Sequence, residues 1–87
     1  MTDGGKHGGG KHVFLIEMDD APDALLRALG PFALHDFTVT GLGLTRHEDR
    51  LELRVEAAGA DRVMAAHIGR KLDALPIVRG VGLGWRA

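Results

Sequence analysis

Three carboxylates fall within five positions, Asp19, Asp20 and Asp23, with Ala21 and Pro22 between them. They form an acidic turn that could be a cation site or a pair of acid/base groups. Such a set could ligate a hard cation, but that needs about six oxygens, and no second acidic cluster is spaced to complete the shell. The same residues serve more simply at a helix N-terminus, where negative charge is favoured and an aspartate can accept from free N–H groups. Five histidines, His7, His12, His35, His47 and His67, raise the possibility of a transition-metal site. No two stand four residues apart as a helical ligand pair would, so only adventitious nickel or copper binding by His7 and His12 is expected, and no built metal site.

Nucleophilic chemistry lacks its reagents. The chain contains neither serine nor cysteine, Thr38, Thr40 and Thr45 lie along a strand pattern, and a chain this small has little room for a substrate cleft. No catalytic residue and no cofactor are expected. Eleven basic and twelve acidic side chains give a net charge of −1. They alternate along the chain, so there is no basic stripe for a phosphate backbone and nucleic acid is not an expected partner. The apolar runs are too short to cross a membrane, and no leader-like segment stands out, which leads to an expectation of a cytoplasmic protein.

The elements that must position these groups are legible in the periodicity. Residues 1–11 carry five glycines and two lysines, a composition expected of a flexible tail. A single domain is then expected over 12–87. His12 to Met18 reads as a central strand with Phe14, Ile16 and Met18 on one face. Leu25, Leu26, Leu29 and Phe32 recur at helical spacing, with Pro22 suited to the first turn, Asp20 or Ala21 to the cap, and a kink expected at Gly30-Pro31. Phe37 to Arg46 returns to strand character, with a bulge expected at Gly41 to Gly43. Leu51, Leu53 and Val55 alternate with Glu52, Arg54 and Glu56 as in a half-buried antiparallel strand. Asp61 caps a second helix carrying Met64, Ile68, Leu72 and Leu75, which Pro76 stops. Ile77 to Trp85 makes the last strand, with Gly80, Gly82 and Gly84 on one face, a pattern that lets a helix or a backbone come close.

The order βαββαβ with right-handed crossovers implies an α+β, ferredoxin-like fold, a four-stranded antiparallel sheet with two helices on one face. A chain of 87 residues buries only about 60% of its unfolded surface. A second copy covering apolar surface would help it, so a homodimer is expected.

Four runs resemble the ACT domain: Asp20-x-Pro22-x-x-Leu25, Gly30-x-Phe32-Ala33, Phe37-x-Val39 and Leu72-x-x-Leu75-x-x-Val78-x-x-Val81. Within that superfamily they are most similar to the small regulatory subunit of acetolactate (acetohydroxyacid) synthase, over about residues 12–83. The resemblance implies a non-catalytic subunit of branched-chain amino-acid biosynthesis. Such a subunit pairs side by side with its own copy and activates the thiamine-diphosphate-dependent catalytic large subunit. It also implies an effector site at the dimer interface, beside the first strand-helix turn and the second strand. Here those positions are Asp20, Ala21, Pro22, Asp23 and Thr38.

Three of these depart from the family pattern. Asp23 replaces a glycine whose amides would close on an amino-acid carboxylate, Thr38 replaces an asparagine, and Asp20 stands where asparagine is common. A carboxylate at position 23 would repel the effector's own carboxylate, so insensitivity to valine is expected. The alternative function class is a free-standing ACT-type sensor of a small amino-acid ligand.

Overall fold

β1 (Lys11–Met18) runs through the middle of the sheet, between β3 (Leu51–Ala58) and β4 (Val78–Arg86), and β2 (Thr38–Arg46) completes the order β2-β3-β1-β4. The computed structural model describes residues 11–33, 37–59 and 61–86, the last two without their side chains. All the pairings are antiparallel, and α1 (Ala24–Ala33) and α2 (Arg62–Asp73) lie on one face. This is the ferredoxin-like arrangement read from the element order. Lys11, assigned to the tail by composition, belongs to β1 and pairs with Arg86. The rest of the expected tail lies outside the described residues.

Register turns alternation into a core. Phe14 stands opposite Val55 and Leu83, and Ile16 opposite Leu53 and Val81. One face of β1 and β3 therefore presents Phe14, Ile16, Met18, Leu51, Leu53, Val55 and Ala57 to the helices, and all are buried. Ala24, Ala28 and Phe32 of α1 and Ala65, Ile68 and Leu72 of α2 close over them. Phe14, Phe32 and Phe37 meet edge to face, with centroids 4.9 to 6.2 Å apart. Each buried phenylalanine contributes about 1.5–3 kcal/mol and each ring pair about 0.5–1.5 kcal/mol more. His12 is the one polar side chain buried with them among the described residues.

α2 begins as expected, with the Asp61 carboxylate accepting from the Met64 N–H at 2.9 Å. α1 does not. Pro22 and Asp23 form a turn ahead of it, and the Asp23 carbonyl accepts from the Arg27 N–H at 3.0 Å. Asp23, and neither Asp20 nor Ala21, is therefore the flanking residue. The helix also continues through Pro31 to Ala33 without a restart. Pro31 is buried within the helix and supplies no helical donor to the Arg27 carbonyl.

The bulge in β2 is displaced from its expected position. Val39 pairs with Ala57 and Gly41 with Glu56, so Thr40 is the extra residue, and its hydroxyl donates to the Glu56 carbonyl at 3.3 Å. After the bulge Leu42 stands opposite Val55 and Leu44 opposite Leu53. Val39, Leu42 and Leu44 thus share the helix-covered face. β2 lies beyond the helix layer, however, and all three remain 43–52% exposed. Gly80, Gly82 and Gly84 face the opposite way, toward the uncovered side of the sheet, so of the two expected approaches, by a helix or by a backbone, neither α1 nor α2 makes the first.

Candidate functional site

The C-terminal end of β2 passes beside the β1–α1 turn and leaves a trough of about 380 Å³, within the ~300–1,000 Å³ range of small-molecule sites. Asp20, Ala21 and Pro22 form one wall, Leu44 and Arg46 the other, and Leu25 and Leu51 complete it. Aliphatic side chains supply most of this surface, and two opposite charges sit at its rim.

Those charges face each other. Arg46 Nη1 lies 3.4 Å from Asp20 Oδ2, with the two side chains 66% and 36% exposed. A pair so open to water contributes only about 0–1 kcal/mol, so a ligand carrying both charges can replace it at little cost. The neighbouring carboxylates turn elsewhere. Asp19 accepts from Arg79 Nε of β4 at 2.8 Å, and Asp23 pairs with Arg27 of α1 at 2.7 Å. The acidic run is thus dispersed onto three arginines of three elements, not gathered for a cation, nor do its side chains cap α1. Among the described residues no group of three histidine, aspartate or glutamate side chains could hold a metal. His12 is in the core and His7 lies outside the described residues.

Of the five positions singled out from sequence, three line the trough. Asp23 does not line the trough and pairs instead with Arg27. Thr38 sits at the far end of β2, opposite Ala58, and does not reach the trough. Leu25, Leu44, Arg46 and Leu51 were not among those positions. Arg46 carries no local signal; it becomes a partner of Asp20 only through the register that brings the end of β2 beside the β1–α1 turn.

A polar network supports the trough from below. Arg79 Nη2 donates to the Asp49 carbonyl at 3.0 Å while its Nε holds Asp19, and the Asp19 N–H donates to the Ile77 carbonyl at 2.8 Å. Arg50 donates to Asp49 Oδ1 at 3.0 Å and to Glu17 Oε2 at 3.3 Å. The hydrogen bond from Arg50, which outweighs the opposing desolvation, holds the Asp49 carboxyl below its ordinary range. His47 contacts Glu52 across the same hairpin at 2.8 Å.

No family model matches the sequence, and no curated protein matches it. In three dimensions the chain is similar to the ACT domain from GTP pyrophosphokinase of Chlorobium tepidum. Against its crystal structure the TM-score is 0.77 at 12% identity, covering 87% of this chain and 99% of that one. Against its solution structure the score is 0.78 at 11% identity, covering 92% and 91%. The C-terminal domain of the MgtC protein from Mycobacterium tuberculosis scores 0.76 at 14% identity, covering 98% and 94%. At such identities the likeness is one of fold: the chain has the ferredoxin-like fold of ACT domains.

Proposed function

We propose that this chain is a non-catalytic regulatory domain that senses a small zwitterion with an apolar side chain, an α-amino acid of the branched-chain class. The single observation that carries the reading is the Asp20–Arg46 pair at the rim of an apolar trough. Arg46 receives the ligand carboxylate, for which a guanidinium is matched in charge and geometry. Asp20 receives the ammonium group, and Leu25, Leu44 and Leu51 take the side chain. The pairing of Asp23 with Arg27 supports sensing over the insensitivity expected from sequence.

A second copy placed along β2 would cover Val39, Leu42 and Leu44 and close the open side of the trough. Side-by-side pairing is accordingly part of the proposal, and the exposed aliphatic row supports it. The catalytic large subunit of acetolactate synthase is the partner that the motif resemblance implies. That finer reading rests on the resemblance alone, and co-purification with the large subunit tests it separately.

Isothermal calorimetry with L-valine, L-leucine and L-isoleucine tests the sensing reading. A saturable heat for at least one, lost in Arg46→Met, is the expected result. Absence of heat for all three at millimolar concentration would refute it.

A further inference from the structure

We infer that Arg79, which does not line the trough, is its positioning residue. This inference rests on the sensing reading above and assigns the part that sets the distance between the two ligand-holding charges. Asp20 stands on the β1–α1 turn and Arg46 at the end of β2, two strands away: Arg46 pairs with Leu51 and Leu51 with Met18, so the sheet sets the spacing of the strands. One guanidinium from a third element then ties the two turns that lie beyond these paired residues. Arg79, at the start of β4, reaches Asp19 Oδ1 with Nε at 2.8 Å and the Asp49 carbonyl with Nη2 at 3.0 Å. Asp19 precedes Asp20 directly, and Asp49 lies three residues beyond Arg46 in the β2–β3 turn.

The two walls of the trough are therefore bound at their roots to one side chain. The geometry requires an arginine. Two acceptors on separate segments are held by two N–H groups of one rigid plane, whereas a lysine offers a single point charge on a flexible stem. A second attachment, from the Asp19 N–H to the Ile77 carbonyl at 2.8 Å, holds the turn against the lead-in to β4. That bond survives loss of the Arg79 side chain. The β2–β3 turn has no such second bond to β4 among the described residues, since the remaining Arg79 contact to Asp49, at 3.9 Å, uses the same guanidinium. Removing Arg79 should thus leave the β1–α1 turn and the backbone pairing of β2 in place, with the β2–β3 turn held to β1 only by the Arg50–Glu17 contact at 3.3 Å, so that the Arg46 side chain loses its set distance from Asp20.

The link also gives the site a route to the rest of the sheet. A ligand that parts Asp20 from Arg46 pulls on Asp19 and on the β2–β3 turn, and Arg79 passes that pull to the first residues of β4, on the opposite edge.

The test compares wild type, Arg79→Met and Arg79→Lys in two readouts. The first is L-leucine affinity by calorimetry. Arg79→Met should weaken it about tenfold, in line with coupling energies within one polar network, and Arg79→Lys should recover less than half of the loss on a logarithmic scale. The second is the Arg46 Nε–Hε resonance in the ligand-free protein. It should be sharp in wild type and broadened or shifted in Arg79→Met, with Arg54→Met, which breaks an ion pair elsewhere on β3, as the unaffected control. A merely structural role would lower the melting temperature without moving that resonance.

Failure of wild type to bind L-leucine, with the resonance behaving as stated, would sink the sensing reading and leave the positioning role standing. Unchanged affinity in Arg79→Met, or an unchanged Arg46 resonance, would overturn the positioning role itself.

Discussion

Along both edges of the sheet a helix and a strand leave a depression of similar size, about 380 Å³ beside β2 and about 340 Å³ between α2 and β4. Each contains aliphatic side chains, one arginine and one aspartate. At the β2 edge Asp20 and Arg46 come from different elements and face each other across the opening. At the β4 edge Arg70 and Asp73 come from one helix, a turn apart, above Val81 and Leu83. Charges a turn apart on one helix can satisfy each other along its surface, and their spacing does not respond to anything bound. Charges on two elements define a gap that a ligand can span. The β2 depression is the more apolar of the two, and only there do the charges converge from distant positions.

The largest expected contrast is in ligand binding. Arg46→Glu places two carboxylates at the trough rim and should cost at least about a hundredfold in affinity for L-leucine, since like charges at that distance repel and the ligand carboxylate loses its partner. Arg70→Glu at the other edge should leave the isotherm unchanged. Equal losses in both would break the comparison.

Association comes next. Leu42→Lys puts a charge in the exposed row of β2 and should raise the dimer dissociation constant about tenfold or more, read by sedimentation equilibrium. Leu83→Lys, at a side chain equally exposed on β4, should leave it unaltered. The reverse pattern would move the self-association surface to the β4 edge.

The smallest effect concerns the β2–β3 turn beneath the trough. The Asp49 carboxyl titrates below its unfolded value of 3.8, chiefly through its hydrogen bond from Arg50. Its contribution to stability is therefore fully present above that value and is lost as pH falls through the lower folded value. Thermal melts between pH 5 and 2 should show a slightly shallower acid limb in Asp49→Asn. The group is exposed, so the change should be small; a steepened limb would contradict the assignment.

Much of the architecture was legible because it rests on periodicity. Phe14, Ile16 and Met18 against Leu51, Leu53 and Val55 announce two strands with one buried face, and Asp61 marks the start of α2. Local breakers were read less well. Gly41 and Gly43 drew the bulge toward themselves, yet the extra residue is Thr40, whose hydroxyl bonds the opposing Glu56 carbonyl and makes the irregularity cheap. Pro31 could have ended α1 or forced a restart, yet the helix runs on through it to Ala33. Half of the site was visible as a strand-helix turn at Asp20 to Pro22. The other half, Leu44 and Arg46, depends on register after the bulge, where a slip of one residue would turn both to the other face. The pairing of Asp23 depends on Arg27, four residues on, a helical spacing that is present in the sequence.

The most direct measurement is an amide-resolved NMR titration of the whole chain with L-leucine. Saturable shifts should cluster at Asp20 to Leu25, Leu44 to Arg46 and Leu51, with a weaker response at Arg79 and none at Ala66, Gly69 or Leu83. Shifts centred on the α2–β4 depression, or no saturable shifts at all, would contradict the assignment of the β2 flank as the sensing site.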